Sequence, residues 1–132
     1  MVSREDRRIR AKLLSKKFPE SAQLLELYIQ LTLLQDDIAR NPDPDAKKLA
    51  AYFPRLRALV PDLPSNEDSE RFLWHVVTQP YAERFRKPGE GVGSTCPSCG
   101  SKPVAGVLRG EGDGAKRALI CSLCGLEWPY RR

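Results

Sequence analysis

The chain has 132 residues, 41% hydrophobic and 30% charged, with a formal net charge of +5. That composition is globular, excludes low-complexity and disordered classes, and allows one ordinary domain or a medium domain plus a very small one. The longest mostly apolar uncharged stretch, Pro103 to Leu108, falls far short of the roughly 20 residues that span a bilayer, which argues against membrane insertion.

Met1 to Lys17 mixes apolar and charged residues and contains no continuous apolar run of the kind a secretory signal needs. Arg7-Arg8 is followed by Ile-Arg-Ala-Lys, which stays charged, so a twin-arginine leader is not indicated. The expected compartment is the cytoplasm.

Ser3, with Asp6 three residues on, predicts a helix start, and Ile9, Leu13 and Leu14 form the apolar stripe of a short basic helix over residues 4–17. Pro19 interrupts, and Ser21 is placed to cap a second helix. Leu24, Leu27, Tyr28, Leu31, Leu34 and Ile38 give that helix the strongest three-and-four periodicity in the chain. Asn41-Pro42-Asp43-Pro44 ends it. Short helices are expected over 44–52 and 54–60, where Pro54 suits a first turn. After the loop Leu63 to Asn66, Phe72, Leu73, Val76 and Val77 define a further helix of about 12 residues. Gln79-Pro80-Tyr81-Ala82 predicts the start of a separate last helix, with Phe85 on the face of Tyr81.

Beyond residue 87 the character changes. A Gly-rich connector over 88–95 divides a helical domain, 1–87, from a segment 96–132 that holds all four cysteines. Val104 to Leu108 and Ala118 to Cys121 read as strands flanking a Gly-rich tip, Arg109 to Gly114, with a third strand over Leu126 to Tyr130. The fold class is therefore mainly α, an N-terminal helical bundle followed by a small β ribbon. Such a ribbon cannot bury enough apolar surface to fold unaided.

The cysteines supply what the core lacks. Cys96-Pro-Ser-Cys99-Gly100 and Cys121-Ser-Leu-Cys124-Gly125 share one form, with 21 residues between the second cysteine of one and the first of the other. A two-residue spacer lets both thiolates of a loop converge, and Gly100 and Gly125 permit the tight left-handed turn that aims backbone N–H groups at sulfur. Two such loops deliver four sulfurs to one tetrahedral Zn or Fe ion. Its binding could contribute roughly 10–16 kcal/mol, ample to hold the ribbon. A closed four-sulfur site has no open position at which to activate water, so no enzymatic role is expected of it.

Other features carry less. His75, the one histidine, is read as a packing or surface residue of its helix. The glycines of Gly110 to Gly114 lead into a strand rather than a helix, which favours a hairpin over a phosphate loop. The basic residues of the first helix are interspersed with Glu5 and Asp6 and read as a solvated face. Glu67-Asp68-Ser69-Glu70 suits a helix N-terminal turn. No nucleophile with its base is recognisable.

The run from Cys96 through Pro103, Gly106 and Arg109, then Cys121 to Cys124 and Glu127-Trp128, resembles the FdhE-type formate dehydrogenase accessory proteins. Gln79-Pro80-Tyr81-Ala82-Glu83, and Phe18-Pro19-Glu20 followed by Leu24-Leu25 and Tyr28, are similar to upstream parts of that family. The resemblance implies a helical domain followed by a rubredoxin-like ribbon, with Cys96, Cys99, Cys121 and Cys124 as metal ligands. It implies a non-enzymatic maturation factor that binds the catalytic subunit of a molybdenum- or tungsten-dependent formate dehydrogenase in the cytoplasm before export. Family members usually run on to a second ribbon, so this chain is shorter than most. Arg109 and Trp128 are candidate partner contacts, because Arg and Trp are favoured interface anchors; packing beneath the ribbon is the stronger expectation for Trp128. Alternatives are a nucleic-acid-binding zinc ribbon and a rubredoxin-like electron carrier. The first is disfavoured because the nine Lys/Arg against five Asp/Glu of residues 81–132 are scattered, with few aromatics to stack on bases.

Overall fold

The computed structural model describes residues 3–87, 93–112 and 114–130. Much of the expected connector, 88–92, therefore lies outside the described residues, as do Asp113 and the terminal pairs. The chain divides into two compact units, Met1–Pro80 and Tyr81–Arg132. The first is helical and the second carries a small antiparallel sheet. Among the described residues no helix is long and apolar enough to cross a membrane.

The first unit contains α1 (Arg4–Lys17), a 3-10 turn (Pro19–Ser21), α2 (Ala22–Ala39), α3 (Ala46–Ala50), α4 (Phe53–Leu59) and most of α5 (Glu67–Arg84). Ser3 caps α1, its hydroxyl accepting from the N–H of Asp6 at 3.1 Å. Asp45 does the same for α3, accepting from Lys48 N–H at 2.8 Å, and Pro54 occupies the first turn of α4 as expected. Ser21 makes no side-chain cap; the 3-10 turn that precedes α2 takes up the change of direction instead.

The buried face of α1 differs from the one the periodicity suggests, and that of α2 agrees at Leu34 and Ile38 but not at Leu24. Ile9 and Leu13 are 53% and 62% exposed, and Ala11 is the buried residue of α1. Arg4 and Arg8 turn toward α2, where Nε of Arg4 and Nη2 of Arg8 each lie 2.6 Å from a different carboxylate oxygen of Asp36. A forked ion pair thus takes the place an apolar stripe was expected to fill. On α2, Leu24 is 70% exposed, while Ile29, Thr32, Leu34, Gln35 and Ile38 are buried. Two polar side chains share that buried face because each has a hydrogen-bond partner there: Thr32 donates to Ile29 O at 3.0 Å, and Gln35 reaches α5.

The two helices expected on either side of residue 79 are one. α5 runs through Pro80, which sits inside it. Proline has no N–H, so the carbonyl of Val76, four residues earlier, loses its helical donor. Gln35 replaces it, with Nε2 donating to Val76 O at 3.0 Å and to Oε1 of Gln79 at 2.9 Å. Asn66 opens the same helix by accepting from Ser69 N–H at 2.9 Å, and the acidic residues after it occupy the first turn. Ile38, Leu56, Leu73 and Val77 are almost wholly excluded from solvent. Phe53 and Trp74 pack edge to face with ring centroids 4.9 Å apart.

In the second unit β1 (Pro103–Glu111), β2 (Gly114–Cys121) and β3 (Glu127–Pro129) form a sheet of order β1-β2-β3, both pairings antiparallel. The ladder continues to Glu111 opposite Gly114, so most of the expected tip is strand. The third strand is shorter than expected, because the second cysteine loop occupies the chain up to Leu126.

Candidate metal centre

The two cysteine loops adopt the same closure. Cys96 N–H donates to Ser101 O at 2.8 Å and Cys121 N–H donates to Leu126 O at 2.8 Å, in each case to the carbonyl five residues on. Each turn reverses at the glycine after its second cysteine, Gly100 with φ +77° and Gly125 with φ +75°. Among the described residues positive φ falls only on glycines, because that left-handed conformation is unfavourable for an L side chain whatever the surrounding space. N–H groups aimed at sulfur come from inside the second loop, where Leu123 and Cys124 donate to Sγ of Cys121 at 3.3 and 3.4 Å, and from the residues after the turn glycines, Ser101 to Cys99 and Leu126 to Cys124. The glycines set the turn, and Gly100 N–H closes the first one by donating to Cys96 O at 2.8 Å.

β1 leaves the first loop and β2 enters the second, and their pairing begins at Pro103 opposite Cys121. Ser122 N–H donates to Lys102 O at 3.1 Å, tying the loops together. All four thiols converge. Sγ of Cys99 lies 3.4 Å from that of Cys121 and 3.8 Å from that of Cys124, and Sγ of Cys96 lies 3.6 Å from that of Cys124. All four sulfurs fall within 4.8 Å of one another. A tetrahedron built on Zn–S bonds of roughly 2.3 Å has edges of about 3.8 Å, so the spacing and the all-sulfur donor set fit one ion. The four cysteines could hold a metal ion.

Their surroundings are unequal. Cys96, Cys121 and Cys124 are buried and Cys99 is exposed. Burial pushes the Cys99 thiol up, but hydrogen bonds from the side chain and backbone of Ser101 and from Cys121 and Cys124 outweigh it and bring it to about 6. Burial raises Cys121 and Cys124, so without a cation their thiolates are disfavoured. Of Cys99, Cys121 and Cys124, Cys99 is therefore the thiol most disposed to ionise, and a bound cation would favour the thiolate form of all four ligands.

Trp128 completes the centre. It is 1% exposed and clusters with Cys96, Cys121 and Cys124, and Ala82, Leu119, Leu123 and Leu126 pack against that cluster. Its Nε1–H donates to Gly93 O at 2.9 Å. The tryptophan is therefore interior, the packing role, and does not offer a surface contact. Arg109 is exposed, its guanidinium forked onto Glu127 at 2.7 and 3.3 Å. Because β2 lies between β1 and β3, this pair bridges over the middle strand. Its hydrogen bonds hold the Glu127 carboxyl below its usual range and the Arg109 guanidinium above its own.

Two groups at the centre have no signal in the cysteine spacing. Arg86 donates from Nη1 to Cys124 O at 3.2 Å. Lys87 N–H donates to Oγ of Ser98 at 3.0 Å. Ser101 could have been found, since it directly follows the turn glycine. His75 is half-buried on α5 and is not part of the cysteine cluster.

Comparison with known proteins places this ribbon. Residues 95–132 match the family model described as FdhE, central domain. The ribbon resembles FdhE. The chain is 53% identical over 38 residues to the protein named "Protein FdhE homolog" of Stutzerimonas stutzeri (strain A1501). It is equally similar to the protein of the same name from Pseudomonas aeruginosa. In both comparisons the FdhE-like stretch is 28% of this chain and 12% of the relative, so the chain matches a small part of those proteins. No solved structure matches the chain.

Proposed function

We propose that the chain is a non-enzymatic accessory factor of formate dehydrogenase maturation. In this reading the ribbon, 96–132, holds one Zn or Fe ion through Cys96, Cys99, Cys121 and Cys124 in a rubredoxin-like site, the helical domain, 1–87, precedes it, and 88–95 link them. The protein acts in the cytoplasm, binding the catalytic subunit of a molybdenum- or tungsten-dependent formate dehydrogenase before export. The observation that carries the reading is the FdhE-like match over 95–132, which contains all four cysteines and their converging sulfurs.

A four-sulfur site has no vacant position for substrate, which supports a structural or electron-carrying ion over a hydrolytic one. Arg109 is the exposed contact candidate, and a partner carboxylate would compete with Glu127 for its guanidinium. The test is co-purification with the catalytic subunit. The intact chain is expected to retain that subunit, and a variant with all four cysteines replaced by Ser is expected to lose it. Formate dehydrogenase activity should fall in cells lacking this protein and return with the intact chain alone. Unchanged activity in such cells, with no co-purification, would remove the assignment.

One observation favours an electron-carrying variant of the same site: Cys99, a ligand candidate, is solvent-exposed. That variant requires bound iron whose visible absorption bleaches reversibly on reduction. A colourless zinc protein that still binds its partner excludes it.

A further inference from the structure

The outward face of α1 has a design the ribbon does not explain. Ala11 points inward, and residues two before and two after it lie about 160° away on a helix of 3.6 residues per turn. Those residues are Ile9 and Leu13, which are one turn apart, 53% and 62% exposed, and aligned along the outer face. Lys12 and Lys16 flank this apolar line on one side, Arg10 and Lys17 on the other, and all four are exposed. At the end of the helix Phe18 is 42% exposed with the Lys17 ammonium 5.6 Å from its ring centroid, and Leu24 in the first turn of α2 is 70% exposed. The acidic residues of α1, Glu5 and Asp6, are confined to its first turn, and Glu20 lies in the turn that follows. The two arginines held by Asp36 are on the inward side and take no part.

We infer that this face of α1 docks on an anionic lipid surface. An apolar line flanked on both sides by long cations suits the headgroup boundary: Ile9 and Leu13 enter the acyl edge while the lysine and arginine stems reach back to the phosphates. Charge complementarity selects an anionic surface over a neutral one. Duplex nucleic acid would be met by the cations but would leave the central apolar pair exposed. The inference rests on α1 alone and does not depend on the metal reading.

Sedimentation of the full chain with vesicles tests it, using phosphatidylcholine alone and phosphatidylcholine with roughly one-third phosphatidylglycerol. Binding is expected only to the anionic vesicles, weakening as salt rises. Ile9→Ser with Leu13→Ser, which leaves charge unchanged, should weaken it about tenfold. Lys12→Glu with Lys16→Glu should abolish it. These side chains are exposed, and circular dichroism of each variant checks that the helices persist. No binding to anionic vesicles, equal binding to both compositions, or full binding by the Ile9/Leu13 variant would each overturn the inference. Salt-sensitive binding to duplex DNA that is unaffected by the Ile9/Leu13 change, with no vesicle binding, would assign the face to nucleic acid.

Discussion

The amide of Gln35 on α2 takes the place of the hydrogen-bond donor that Pro80 withholds from Val76 on α5, Nε2 lying 3.0 Å from the carbonyl oxygen. A helix can continue through a proline when another side chain satisfies the freed carbonyl, and here that side chain is buried with it. The buried polar residue and the helical proline are therefore one feature.

Gln35→Leu should destabilise the helical unit by about 1–3 kcal/mol, because it strands a buried carbonyl. Pro80→Ala restores the helical N–H, so the same Gln35→Leu change should cost less in that background. Urea unfolding of the four members of the double-mutant cycle measures the coupling. Equal costs in both backgrounds would show that Gln35 acts by packing alone.

Asp36 links α1 to α2 through Arg4 and Arg8. Burial raises its carboxyl, but the two guanidiniums outweigh this and hold it below the usual value. A depressed carboxyl contributes stability that is complete above its unfolded pKa of ~3.9 and is lost as pH falls through the lower folded value. Asp36→Asn should cost about 1.5–3 kcal/mol at neutral pH, with a difference from the parent that shrinks in strong acid. Thermal unfolding of both proteins across that range is the measurement.

The helical order, the strand pairing and the cysteine set were legible because each rests on local chemistry: Ser3 as a cap, Pro54 in a first turn, and two matching loops ending in Gly100 and Gly125. The inward face of α1 is not, and that of α2 is legible in part, with Leu34 and Ile38 buried as the periodicity predicts. Periodicity assigns apolar residues to the interior, and this unit buries Gln35 and the Asp36 ion pair while leaving Ile9, Leu13 and Leu24 outside. Pro80 has the look of a boundary in sequence because its compensating donor lies 45 residues earlier, beyond any local window. Trp128 and the cysteines sit together because the ribbon has so little else to bury.

Trp128→Ala should cost about 3–5 kcal/mol of ribbon stability through the cavity it leaves. With Trp74→Phe as background, Trp128 is the remaining tryptophan, and its emission should shift to the red when a chelator removes the ion. Emission that is unmoved by chelation would place the indole outside the cluster's influence.

Gly100→Ala places a Cβ on a backbone at φ +77°, a conformation that costs an L-residue roughly 1–2 kcal/mol, although no atom crowds the position. The expected result is metal affinity lowered about tenfold with zinc stoichiometry unchanged, read by competition with a chromophoric chelator. Unchanged affinity would show that the turn tolerates the strain without moving the sulfurs.

The central claim is that four converging thiolates hold one ion and that this ion holds the ribbon. Native mass spectrometry of the purified chain measures it directly. The account predicts one Zn or Fe per chain, released by acid or chelator together with a shift of the charge-state distribution toward unfolded forms. A metal-free chain that keeps the compact distribution, with all four thiols free, would contradict it.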